Sequence, residues 1–235
     1  MAPCYFMEGR MGFFSTVIEW NEQNSNDVIF WKHGDTEIKK GSRLVIRAGQ
    51  DAIFLVDGRI EGIFQDEGTY DIESDITPFL STLKGFKFGF RSGMRAEVLF
   101  VNTREFTVKW GTFNPVYIRT PEFAAGIPIR ACGTFNCKVS DYIALIDKVA
   151  GIRNEYRIED IRERVISVLS PLLMKWIGRE GRDIFNLQEN SEAIAKGIRE
   201  DLDMQMIKDG ITITDFSVQS FSYPDNIWDK INAGR

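Results

Sequence analysis

The hydrophobic pattern of this chain changes its period near residue 140, and that change limits the folds open to it. Over residues 28–118, runs rich in Val, Ile, Phe and Tyr are separated by turns that contain glycine, which predicts successive short strands. Beyond Ser140, apolar residues recur at three- and four-residue steps, which predicts helices. The expected fold class is therefore α+β, with an antiparallel β-rich first half and an α/β second half.

Two hairpins are predicted in the first half. Residues 52–64 place Asp57-Gly58 between two apolar runs, and this dipeptide suits the tight turn of an antiparallel pair. Residues 97–110 predict a second hairpin, which turns at 102–104.

A longer strand is predicted over residues 127–139, and its glycine marks a bulge or bend. The side chains expected on its inner face alternate along the strand: Ile129, Ala131, Gly133, Phe135 and Cys137.

Three helices are predicted after this strand. The first covers 141–150 with Ser140 as its cap, and the second covers 157–177, where Pro171 should kink or divide it. The third covers 187–208 and leads into a last strand.

Both ends of the third helix carry boundary signals. Asn186 is its expected cap and Gly210 its expected end. In the strand over 211–218 the alternation slips by one residue at Asp215, which predicts a bulge.

The chain is divided on these grounds into four segments. They are a leader with a short amphipathic helix (1–27), a β-rich subdomain (28–125), an α/β subdomain (126–222) and the start of a C-terminal helix (223–235). Residues 1–10 lack periodicity and are interpreted as a leader or as a product of start-site choice. Whether the natural chain continues past residue 235 is left open.

The amphipathic segment offers one candidate contact surface for a membrane or a protein partner. Its apolar side chains are Phe13, Phe14, Val17, Ile18 and Trp20. They suit either an interfacial helix or a buried face. Core packing is the favoured interpretation, because the segment is short and its glutamates oppose anionic lipid.

Bulk composition excludes several classes of function. The net charge of −5, with both signs interspersed, disfavours nucleic acid as a partner. Apolar runs stay far below the roughly 20 residues that cross a bilayer, so membrane contact is expected to be peripheral or indirect. Three cysteines without a framework or a metal-ligand spacing indicate a reducing cytoplasm.

Residues for chemistry are sparse, so no catalytic, cofactor-binding or metal site is predicted. The single histidine, His33, lies in an expected surface turn, and no serine occupies a Gly-x-Ser-x-Gly elbow. Neighbouring acids such as Asp66 with Glu67, or Glu159 with Asp160, are interpreted as solvated faces. A hydrolase whose carboxylates converge only in the fold remains an alternative.

Several segments, taken in order, are similar to one known family. Residues 42–54 read Ser-Arg-Leu-Val-Ile-Arg-Ala-Gly-Gln-Asp-Ala-Ile-Phe, and 67–70 read Glu-Gly-Thr-Tyr. Together with 115–123, 129–135 and 209–218, they resemble the stomatin/prohibitin/flotillin (band 7) domain. Glu67 departs from that family, which has proline at the start of this turn.

The resemblance extends over residues 28–231 and is greatest to the bacterial, anchor-less branch called virion-core-like, in which a zinc ribbon can follow. It implies a homo-oligomeric scaffold beside a membrane, bound to membrane-associated proteins and free of catalytic residues. It also implies a place in the cytoplasm at the inner face of the cell membrane. A phage or virion structural component is a further alternative, suggested by the name of the branch.

Overall fold

A computed structural model describes residues 16–21, 26–34, 41–56, 58–72, 75, 96–121, 123–150, 153–181 and 183–224. By its internal contacts the chain divides into two compact units. Unit 1 comprises Met1–Asn21 with Lys32–Phe100, and unit 2 comprises Glu22–Trp31 with Val101–Arg235. The division at Phe100 precedes the sequence-based one near residue 125, because the strands over 106–118 pair with a strand of unit 2.

Twelve strands and three α-helices make up the described chain, and the expected α+β class is confirmed. The strands are β1 (Val17–Glu19), β2 (Val28–Lys32), β3 (Arg43–Ile46), β4 (Gln50–Val56), β5 (Arg59–Phe64), β6 (Gly68–Asp71), β7 (Ala96–Asn102), β8 (Phe106–Gly111), β9 (Val116–Ile118), β10 (Ile127–Val139), β11 (Glu155–Arg157) and β12 (Ile211–Ser222). The helices are α1 (Tyr142–Leu145), α2 (Ile158–Glu180) and α3 (Ser191–Met206).

Unit 1 contains a small sheet in the order β1-β3-β6 and the hairpin of β4 with β5. The hairpin confirms the prediction for residues 52–64. Gly58 has a φ of 74°, a left-handed conformation in which glycine is favoured because it has no Cβ.

The N-terminal segment corrects one expectation. Residues 17–19, predicted to be helical, form β1 and pair in parallel with β3, where Ile18 lies opposite Leu44. Val17 and Ile18 are β-branched and suit a strand, and the pairing decides between the two conformations. Phe13 and Phe14 lie outside the described residues.

A second correction concerns residues 97–110. The predicted hairpin is wrong, because β7 and β8 belong to different sheets. The turn between them is held by Asn102, whose side-chain oxygen accepts from the backbone N–H of Arg104 at 3.1 Å. Its amide also donates to the carbonyl of Val28 at 3.4 Å, a long-range contact that local sequence cannot reveal.

Unit 2 is built around a sheet in the order β12-β10-β8, with β9 paired to the start of β10. The predicted strand over 127–139 is confirmed, and each inner-face residue predicted for it is buried. Both predicted bulges are confirmed as register shifts between β10 and β12, one beside Gly133 and one beside Asp215.

The helices of unit 2 pack on this sheet and correct the expected caps. Asp141 caps α1 in place of Ser140, because its carboxylate accepts from the N–H groups of Ile143 at 2.8 Å and Ala144 at 3.1 Å. The segment then continues as a π-helix over Ile146–Ala150.

The longest helix, α2, is not divided at Pro171. Pro171 lies on its exposed side, where water can satisfy the carbonyl that proline leaves free. A 3-10 turn, Leu187–Asn190, precedes α3, and the side chain of Asn186 makes no capping bond there. Gly210, with a φ of 77°, ends the 3-10 turn that follows α3, as predicted.

Candidate partner-binding surfaces

The side chains predicted to form an N-terminal contact surface alternate between exposed and buried positions along β1. Val17 is 48% exposed, whereas Ile18 and Trp20 are 2% and 5% exposed and belong to the core. The backbone carbonyl of Trp20 accepts from Gln50 at 3.4 Å. Contact through Val17 therefore stays a prediction, and the described part of the segment presents an edge strand.

Two of the acids considered for chemistry, Glu159 and Asp160, have structural partners. His33 directly follows β2, and its backbone N–H donates to Val98 at 2.8 Å. Asp160 accepts from the N–H of Arg157 at 2.9 Å, and Glu159 bonds Arg162 at 2.5 Å. Within the described ranges, no three His, Cys, Asp or Glu side chains converge as a metal site would require.

Two cysteines of β10 point to opposite faces of the sheet, because an odd number of positions separates them. Cys132 is exposed and its sulfur lies 3.1 Å from the Ser220 hydroxyl. Cys137 is buried, and burial raises the pKa of its thiol to about 12, with a further contribution from Glu105. Cys137 therefore stays protonated and unreactive at neutral pH.

Apolar side chains emerge at one end of unit 2. Ile143 of α1 is 61% exposed, Met204 of α3 is 61% exposed, and Ile207, one helical turn further, is 49% exposed. The α1 segment contacts this end of α3, since Ser140 and Asp141 donate to the carbonyl of Gly210. We call Ile143, Met204 and Ile207 the apolar end of unit 2.

A cleft of about 560 Å³ opens between α3 and β12. It is lined by residues 215–218 of β12 and by one face of α3, which carries Ser191, Glu192, Ala195, Lys196 and Arg199. Successive strand residues point to opposite faces of a sheet. A cleft that touches four consecutive residues therefore meets the strand along its edge.

The backbone of β12 turns alternate peptide groups toward this cleft. The N–H of Ile213 donates to Asp203 at 2.8 Å, so it points away from β10. The bulge at Asp215 then reverses the alternation. A Cβ added to Gly133 would lie 1.9 Å from the Ser217 carbonyl oxygen, so that carbonyl faces β10.

The peptide groups of Phe216 and Val218 consequently face the cleft. In the sheet order β12 stands at the end, and no other described strand pairs with this edge. Among the described residues, the edge therefore has no paired strand where it lines the cleft.

The helical wall of the cleft carries two cations. Lys196 is exposed and Arg199 is half-buried. Neither forms an ion pair with another residue in the part of the chain that the structure describes. Glu192 lies one turn before Lys196, and Asp215 lies on the strand side.

Sequence reasoning missed this cleft, because its two walls come from a helix and a strand that are apolar in pattern and ordinary in composition. Two signals were present in the sequence. One is the slip of alternation at Asp215, and the other is the spacing of Lys196 and Arg199 on one helical face.

Among the described residues, no helix combines the length and the hydropathy that a bilayer crossing demands.

Comparison with known proteins identifies relatives of the chain. Residues 28–235 match the model of the family described as SPFH domain-Band 7. A protein of Bacillus subtilis (strain 168), described as "Uncharacterized protein YdjI", is 62% identical over 225 residues. That similarity covers 94% of this chain and 69% of the relative.

Proposed function

This chain belongs to the SPFH domain-Band 7 family, and from that premise we propose that it is a non-enzymatic scaffold that self-associates and holds protein partners at the cytoplasmic surface of a membrane. Members of this family are typically membrane-associated scaffolds. The proposal assigns this role to the present chain.

The apolar end of unit 2 carries the proposal. Ile143, Met204 and Ile207 each leave about half or more of their surface in solvent, although the protein has a well-formed core elsewhere. Large apolar side chains grouped on a surface mark contact sites, because their burial on association is favourable. Self-association through this end is the simplest way to cover them.

Light scattering on the purified full chain tests self-association. We expect a mass above that of one chain, and a lower mass for the triple variant Ile143→Ser, Met204→Ser, Ile207→Ser. Met174→Ser is the matched control, since Met174 is 44% exposed but lies on α2. A monomeric parent protein would contradict the proposal.

Liposome flotation with membrane-bound partner proteins present and absent tests the membrane role. Deletion of residues 1–15 asks whether the N-terminal segment contributes, and it spares Ile18 and Trp20, which the core needs. We expect flotation with partners in the parent protein. Its absence under every condition would remove the membrane part of the proposal.

A further inference from the structure

We propose that the cleft between α3 and β12 binds an extended acidic segment of a partner protein, which pairs with β12 as an added strand. The inference rests on the proposed scaffold function and deepens it, because it names the class of segment that the scaffold holds. The open edge of β12 and the cations of α3 carry it together.

The backbone of β12 supplies the first half of the recognition. Phe216 and Val218 turn their N–H and C=O groups toward the cleft, and a strand edge of this kind is a template for pairing with another chain. An added strand lies about 4.8 Å from its neighbour and bonds every second residue to the edge.

The wall of α3 supplies the second half. Ser191, Ala195 and Arg199 recur at four-residue steps and so run along the cleft. A strand placed between a helix and a sheet edge presents one set of side chains to the helix. Binding grooves of this shape gain affinity from the edge and specificity from the helix.

The cations on the α3 wall of the cleft favour an acidic segment over a basic one. Lys196 and Arg199 have no ion-pair partner among the described residues, and Arg199 is already partly removed from water. An acidic side chain facing α3 would pair with them, whereas a basic one would meet two cations. Glu192 and Asp215 stand at other points of the lining, so the attraction is strongest midway along α3.

A defined peptide tests the proposal directly. The probe is a labelled, capped hexapeptide of alternating Val and Glu, and binding to the full chain is followed by fluorescence anisotropy. The matched control has Lys in place of Glu. We expect the Glu peptide to bind at least roughly tenfold more tightly, since two favourable charge contacts become two unfavourable ones.

Two N-methylated forms of the probe test the strand pairing without altering the protein. One carries methyl groups on the first, third and fifth peptide nitrogens, and the other on the second, fourth and sixth. Only one edge of an added strand faces β12, so we expect one form to lose binding and the other to keep it. Equal behaviour of both forms, or no binding of the parent probe, overturns the proposal.

Charge-reversal variants locate the site. Lys196→Glu with Arg199→Glu should weaken the Glu peptide at least roughly tenfold and strengthen the Lys peptide. The control pair, Lys148→Glu with Lys208→Glu, makes the same charge change at exposed residues outside the cleft. Equal losses in both pairs would show a general effect of net charge and overturn the assignment.

The same variants separate this inference from the proposed function. If the cleft pair lowers the mass of the full chain in light scattering, a second copy occupies the cleft and the partner-segment proposal is overturned. If the peptide binds as expected to a chain that neither self-associates nor floats, the scaffold proposal fails while the cleft assignment stands. Loss of peptide binding with unchanged mass and flotation supports both.

Discussion

Strands β4 and β10 differ in how their two faces are covered. Six consecutive residues of β4, from Gln50 to Leu55, are buried, so both faces of that strand lie in the interior. In β10 burial alternates, and exposed residues such as Arg130 and Lys138 interleave with buried ones. A strand covered on both faces can only support the core, whereas a strand with an open polar face belongs to a sheet that can meet partners.

The comparison predicts the largest effects on stability for substitutions at adjacent residues of each strand. Ile53→Ala and Phe54→Ala should each lower the free energy of unfolding, by about 2–5 and 3–5 kcal/mol, because both side chains are fully buried. In β10, Phe135→Ala should cost about 3–5 kcal/mol, while its neighbour Asn136→Ala should change stability by no more than about 0.5 kcal/mol. Urea denaturation measures all four.

The contrast between the strands is contradicted if Ile53→Ala or Phe54→Ala lowers the free energy of unfolding as little as Asn136→Ala does. Similar losses of unfolding free energy in the two β4 variants would support the contrast.

A smaller effect is expected at Gly133 of β10, which lies opposite Trp110 of β8 in the sheet of unit 2. Gly133→Ala should lower the free energy of unfolding by about 1–3 kcal/mol or more, because the new methyl group would press on the Ser217 carbonyl and on Trp110. Gly111→Ala is the control. A Cβ there would lie 3.6 Å from that of Cys132, an ordinary contact.

Thermal unfolding followed by circular dichroism checks both glycine variants. Equal stability of the two would mean that β10 and β12 can separate at the bulge, contrary to the close approach described above.

The smallest effect concerns thiol chemistry and leaves stability unchanged. In a Cys4→Ser background, Ellman's reagent at pH 8 should titrate Cys132 rapidly and leave Cys137 unreacted until the chain is denatured. The raised pKa of Cys137, about 12, keeps its thiol protonated at that pH, and burial blocks access. Rapid reaction of two thiols would show that the alternation of β10 is not maintained in solution.

The alternation of β10 and the turn at Gly58 could be predicted from sequence, because both depend on neighbouring residues. The pairing of β7 could not, since the partner that holds Asn102 is 74 positions away in the chain. The choice of Asp141 over Ser140 as cap also lay beyond sequence reasoning. Both residues can cap a helix, and Ser140 is held instead by the carbonyl of Gly210.

The candidate surfaces also include one feature that the sequence predicted and one that it did not. Burial of Ile18 and Trp20 agrees with the favoured interpretation of the N-terminal segment as a source of core residues. The cleft depends on the distance between α3 and β12 and on the direction of peptide groups after a bulge. The bulge at Asp215 was visible in the local alternation, but the distance between α3 and β12 is not encoded in a local pattern.

The carboxylate of Asp203 accepts from the Thr212 hydroxyl at 2.6 Å and from the Ile213 N–H at 2.8 Å. These bonds occupy a backbone donor that β12 would otherwise offer to an added strand. An added strand can therefore form backbone hydrogen bonds with β12 only beyond Ile213, and this restricts the register in which it pairs.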